Sequence, residues 1–223
     1  MNLKWLVIFI IALVATSTAT VNAGGGLLKE RFQLLKDAPV LVVVGRQAAD
    51  SDYECALLVR DYLEDMNIMV EIVYDDTVSE VELKYNLIVI GGPAVNKIAS
   101  NLNYKISSWF ERGIEGWILY VVGWKLSQLS HGVVNFEENP FGNSTYVVLL
   151  AGIGREGTIA ATHIFLKAEG LWGEVAAVRL SGNVASVLFC SAALCNQQKE
   201  YFFPKPPEGP GVIYVVIGSE AGG

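Results

Sequence analysis

Three short apolar runs, each closing on glycine, constrain this chain more than anything else in it. Val40–Val44 leads into Gly45, Leu87–Ile90 into Gly91-Gly92, and Val147–Leu150 into Ala151-Gly152. None of the runs has a polar position, so a strand formed by any of them has no side to show to water. Such strands need cover on both faces of their sheet. Asp50-Ser51-Asp52 reads as the cap of a covering helix, with Cys55, Leu58, Val59, Tyr62 and Met66 turned inward and Arg60, Asp61, Glu64 and Asp65 outward. A second helix, Thr158–Glu169, turns Ala161, Thr162, Phe165 and Leu166 inward. Val70–Tyr74, Val175–Leu180, Val184–Phe189 and Val212–Ile217 read as further strands, and Ala94–Phe110 as helix in one or two pieces. Trp117–Val122 and Val133–Phe136 read as a hairpin or sheet extension. The pattern predicts an α/β layered fold with a mainly parallel central sheet, flanking helices and some antiparallel extension strands.

Composition excludes two classes. Of the 223 residues 52% are apolar and 17% charged, which is too much burial potential for a disordered chain. A net charge of −7 without a cluster of Lys and Arg argues against nucleic acid as a partner. The N-terminus has its own logic. Lys4 precedes the apolar run Trp5–Ala15, and the small and polar stretch Thr16–Ala23 ends in Val21-Asn22-Ala23. This is the pattern of a cleaved signal peptide over 1–23. An uncleaved anchor is the alternative, but eleven residues fall short of the roughly 20 that cross a bilayer. Cleavage removes 23 residues, of which only Lys4 is charged, and leaves 200 residues with a net charge of −8. The expected plan is a signal peptide over 1–23, a flexible leader over 24–37 opened by Gly24-Gly25-Gly26, and a single α/β domain over 38–223. Membrane contact is expected only through the signal peptide during export.

Several motifs invite a chemical reading, and each has a plainer one. Gly152-Ile153-Gly154-Arg155-Glu156-Gly157 follows a strand and opens a helix, the setting of a dinucleotide loop. The next strand ends in Arg179-Leu180-Ser181-Gly182 without the acid that would hold a ribose, and Glu156 would oppose phosphate. A tight structural turn fits better, and no cofactor is expected. Gly45, Gly91, Gly92, Gly152, Gly154 and Gly157 could nevertheless line one crevice at the sheet end. Asp50, Asp52, Asp75 and Asp76 fall at the ends of two strands and could hold a hard cation such as calcium. Helix capping by the first pair and a solvated turn for the second are the simpler reading, so no metal site is expected. The two histidines, His131 and His163, come without a nucleophile elbow; Ser130 beside His131 is the one hydrolytic candidate, and no catalytic residue is assigned. Cys190 and Cys195, with four residues between them, are the expected disulfide in an oxidising compartment, with a stabilisation of roughly 2–3 kcal/mol, and Cys55 is a buried thiol. Asn143-Ser144-Thr145 is a glycosylation sequon in a turn-rich loop.

Taken together, several blocks resemble the α/β portion of archaeal surface-layer proteins. Val40–Gly45 is followed by Ala48–Asp52; Asn86-Leu-Ile-Val-Ile-Gly-Gly-Pro-Ala-Val-Asn96 comes next; Glu138–Phe141 precedes Val147–Gly152 and Arg155–Ala161. The likeness spans about residues 38–170, and the Gly-Gly-Pro-Ala-x-Asn block is its most specific part. It implies a secreted, non-enzymatic, often glycosylated protein of the cell envelope surface, built into or onto a paracrystalline wall. Its partners would be other envelope or surface-layer proteins, or further copies of itself. Trp117, Trp124 and Tyr146 are the candidate contact residues. The competing expectation is an extracellular small-ligand or cation-binding module that uses the glycine crevice.

Overall fold

The computed structural model describes residues 32–167, 175–190 and 200–202. Residues 1–31, Cys195 and the Val212–Ile217 segment lie outside them.

The first apolar run forms β1 (Val40–Val44), buried along its whole length, and pairs in parallel with β2 (Val70–Tyr74) and β3 (Asn86–Ile90). Helix α1 (Asp50–Asp65) joins β1 to β2. Beyond β3 the chain makes the short helix α2 (Lys97–Leu102) and three strands, β4 (Ser108–Arg112), β5 (Trp117–Val121) and β6 (Trp124–Leu126). It then returns through β7 (His131–Glu138), β8 (Tyr146–Gly152), α3 (Arg155–Leu166), β9 (Val175–Ser181), β10 (Val184–Cys190) and β11 (Glu200–Phe202). Eight strands form one mixed sheet in the order β11-β10-β9-β7-β8-β3-β1-β2, and β4-β5-β6 form a separate antiparallel sheet.

This architecture corrects the predicted fold class. The protein is mostly β, not a helix-flanked α/β layer with a mainly parallel sheet. Only β2, β1, β3 and β8 are joined in parallel; β8–β7, β7–β9, β9–β10 and β10–β11 are all antiparallel. Continuous apolar runs report burial on both faces but not strand direction, and here the two faces have different covers. On one face Val42, Val44, Ile88, Ile90, Val148 and Leu150 meet α1 and α3 through Val59, Leu63, Ile164 and Phe165. On the other, Leu41, Val43, Leu87, Val89, Val147 and Leu149 meet α2 and the small sheet through Leu102, Phe110, Leu119 and Val121. Strand alternation separates the two sets residue by residue. Phe32–Asp37 is a 3-10 turn that seats Phe32 and Leu35 in the helix-side core.

The helix expected over Ala94–Phe110 stops at Leu102, because Asn103 redirects the chain. Its Nδ2 donates to the Phe110 carbonyl (2.8 Å), and its Oδ1 accepts from the Phe110 N–H (2.7 Å). A single side-chain amide thus bonds Phe110 as a neighbouring strand would, and it holds β4 extended. The Asp50-Ser51-Asp52 cap is also corrected. The N-cap is Ala49, without a side-chain bond, and Asp50 and Asp52 sit in the first turn, where their charge meets the positive helix end.

One local strain lies in the small sheet. Val121 pairs with Trp124, so β5 and β6 are joined by the two-residue turn Val122-Gly123, with φ of 47° and 80°. These are left-handed values of a type I′ turn, which favours Asn-Gly and penalises a β-branched residue. Val122→Asn should stabilise the protein by about 1 kcal/mol, read as a rise of about 2–4 °C in the thermal midpoint. A midpoint that stays level or falls would contradict this account of the turn.

Candidate functional site

The carboxyl ends of the parallel strands β1, β3 and β8 lie side by side, and the carboxyl end of parallel strands is the place to look for ligand chemistry. All six glycines of the expected crevice come to it. The chain's own atoms lie against each of them. A Cβ at Gly45 would collide with the Val95 carbonyl, one at Gly92 would press on the Gly152 carbonyl, and one at Gly157 would collide with the His131 carbonyl. Gly152 lies against the Gly154–Thr158 backbone, and Gly154 against Leu129. Gly91 takes φ +93°, facing the side chains of Val95 and Asp52. Two N–H groups of the turn are engaged as well: Ile153 N–H donates to the His131 carbonyl (3.0 Å) and Gly154 N–H to the Leu129 carbonyl (3.1 Å).

Asn96, the last residue of the most specific sequence block, ties this end together. Its Nδ2 donates to the carbonyls of Val43 (3.1 Å) and Ile90 (3.0 Å), where β1 and β3 part. Its Oδ1 accepts from the N–H groups of Ile98 (2.9 Å) and Ala99 (3.2 Å), capping α2. Sequence reasoning gave this residue no task; its place just before a short helix was the available signal. Asp75 does similar work from β2's end. Its two oxygens accept from the N–H groups of Arg46 and Lys97, both at 2.8 Å.

The four aspartates of the possible cation site do not converge. Asp75 is engaged as described, and Asp76 is paired with Arg46 (Nη2 to Oδ1, 3.1 Å), whose guanidinium also lies 3.7 Å above the Tyr74 ring. That guanidinium holds the Asp76 carboxyl below the usual range. Asp50 is exposed. Asp52 is buried at 4% exposure with Oδ1 unpartnered, and desolvation lifts its carboxyl to about 6 against an opposing pull from Arg155. Among the described residues no three His, Cys, Asp or Glu side chains are grouped to hold a metal ion. His131 is buried and its Nδ1 accepts from the Gln128 N–H (3.4 Å); burial first and Arg179 second lower its pKa, so the charge it feels is a cation, not an orienting acid. Burial pushes the Cys55 thiol up to about 12, an inert group packed against the helix-side core. Cys190 ends β10, while its expected partner Cys195 is outside the described residues.

The outer surface offers more. Trp124 is 60% exposed with its ring 5.2 Å from Phe189, whereas Trp117 is half-buried on the small-sheet core and Tyr146 half-buried 5.7 Å from Phe136. Sequence reasoning missed Tyr104, Ile114, Val122 and Leu129, all exposed large apolar side chains on or beside the small sheet. The signal for Ile114 was legible: it sits between Gly113 and Glu115 in a short hairpin loop, with no strand neighbour to cover it.

Residues 63–168, from the last turn of α1 through α3, match the family model described as S-layer like family, outer domain. The match supports an S-layer-like family for this stretch. The second and third blocks of the sequence resemblance fall inside it, and the first, Val40–Asp52, precedes it. Among curated proteins none matches the chain. An S-layer-like domain points to a structural role at the cell surface. The matched stretch contains the whole small sheet, Asn96 and the sequon loop, and all the closing glycines except Gly45.

The buried polar groups make two expectations measurable. Asn96→Ala removes four hydrogen bonds and leaves the Val43 and Ile90 carbonyls buried without that donor, so it should cost about 2–4 kcal/mol in denaturant titration; a loss under about 1 kcal/mol would contradict its role. The second concerns pH. Asp52, raised from 3.8 to about 6, contributes stability that is complete below 3.8 and lost as pH rises through 6. His163, lowered by burial from 6.5 to about 4, contributes stability that is present above 6.5 and lost as pH falls through 4. The slopes oppose each other in the same window. Asp52→Asn should therefore leave stability rising with pH between about 4 and 6, and His163→Gln should leave it falling, in denaturation curves taken across that range.

Proposed function

We propose that this protein is an exported structural component of the cell envelope surface that acts through contacts with other surface-layer proteins or with further copies of itself. The observation that carries this reading is the S-layer-like match over 63–168. Two features support it. The end of the sheet where a ligand would sit is tied off by Asn96, Asp75 and the glycine contacts, which leaves little there for small-molecule chemistry. The small sheet meanwhile carries exposed Tyr104, Ile114, Val122 and Trp124, side chains that favour a protein surface over water. The signal-peptide pattern over 1–23 supplies the route out of the cell. The Cys190–Cys195 disulfide and a glycan on Asn143 belong to the same reading.

Expression of the full chain in an archaeal host, followed by fractionation, tests it. The protein should appear in the envelope fraction with its mature N-terminus at Gly24. Ile114→Asp, at a fully exposed position, should lower envelope retention severalfold without moving the thermal midpoint. A chain retained in the cytoplasm with Met1 in place, or a free monomer outside the cell, would overturn the reading.

A further inference from the structure

The sequon loop is built in a way that bears on when it can be modified. Asn139–Thr145 joins β7 to β8, whose last paired residues are Glu138 and Tyr146. The Asn139 N–H donates to the Thr145 carbonyl (2.8 Å), and its Nδ2 donates to the carbonyls of Leu83 and Tyr85, both at 2.8 Å. Thr145 Oγ1 donates to the Lys84 carbonyl (2.9 Å), and the Tyr146 N–H donates to Asn86 Oδ1 (2.8 Å). The loop is thus clamped to the segment Leu83–Asn86 that leads into β3. Packing tightens it further, since a Cβ at Gly142 would collide with Thr145 Oγ1. The outcome splits the sequon in two. Asn143 is exposed, whereas Thr145 is 8% exposed and its hydroxyl proton is engaged.

A glycosyl-transferring enzyme reads the sequon through both residues, which is why the position two after the asparagine carries a hydroxyl. We propose that Asn143 accepts carbohydrate only before β7 and β8 have paired, so that modification and folding compete for the Thr145 hydroxyl. The inference rests on the exported-glycoprotein reading and adds an order of events to it. In the transfer the Asn143 amide nitrogen attacks the anomeric carbon of a lipid-phosphate-linked oligosaccharide. The new N–C bond forms as the C–O bond to phosphate breaks; the lipid phosphate leaves with the electron pair and the amide proton passes to a base of the enzyme. Enzyme access to Thr145 requires the loop to leave the Leu83–Asn86 segment, which also detaches the start of β8 from β3 and β7.

The test uses the full chain with an oligosaccharyltransferase and its lipid-linked donor, scored by the mass of the Asn143 peptide. One sample is folded before the enzyme is added; the other is diluted from urea into the enzyme so that transfer competes with refolding. The refolding chain should be modified and the pre-folded chain roughly 100-fold more slowly, because several hydrogen bonds must open together for access. Asn139→Ala, which keeps the sequon and removes three of the loop's side-chain hydrogen bonds, should raise the rate on pre-folded protein, with circular dichroism confirming that the variant is folded. Equal rates for the two wild-type samples would overturn the proposal. No transfer to either, while an unstructured sequon peptide in the same tube is modified, would overturn Asn143 as an acceptor; the envelope fractionation tests the function separately.

Discussion

β1, β3 and β8 have no wet side, and the rest of the molecule is arranged around that constraint. A strand without polar positions must lie inside a sheet with partners on both edges and cover on both faces. The chain meets this with two covers of different kinds, a pair of helices on one side and a three-stranded sheet with a short helix on the other. Alternation then assigns every residue of the central strands to one cover or the other, so Val42 and Val43 belong to separate cores although they are neighbours in sequence. The antiparallel strands β7, β9 and β10 extend the same sheet and share both cores.

The second organising fact is how the carboxyl end of the sheet is closed. In a ligand-binding layout the backbone N–H groups beyond the strands are left for a guest. Here those at Ile153 and Gly154 are given to carbonyls at and just before the start of β7, and the Asn96 amide takes the carbonyls left where β1 and β3 diverge. Glycine recurs at this end because backbone packs on backbone. A pattern that resembles a phosphate-binding turn in sequence is therefore a packing motif in three dimensions.

Much of the fold could be read from the sequence, and the part that could not was of one kind. β1, β2, β3, β8, β9 and α1 fall where apolar periodicity put them, because burial leaves its mark on every residue of a strand or helix face. Direction, partner and cover leave no such mark. β7 runs antiparallel between β8 and β9, a placement that its own residues do not announce. The stretch expected as helix up to Phe110 breaks because one side chain, Asn103, bonds the backbone seven residues ahead, and a single polar contact has no period to detect. The candidate site divided in the same way. The glycines lie at one sheet end, but what fills that end is set by Val95, His131 and Leu129, none of which carries a sequence signature of the task. Asp75 was noticed for its charge, whereas its work is to accept two backbone N–H groups.

The small sheet is an excursion. Between the end of β3 and the start of β7 the chain leaves the main sheet, builds α2 and β4–β6, and comes back two places along, on the far side of β8. Its attachment is a patch of apolar side chains, chiefly Leu102, Phe110, Leu119 and Val121, with a side-chain bond from Asn135 to Ser108 at its margin. Among the described residues no strand ladder joins it to the larger sheet. A cover held mainly by apolar contact can change its outer residues, or the length of its hairpins, without disturbing the register beneath. The outer face of the small sheet is in this sense uncoupled from the frame that carries it.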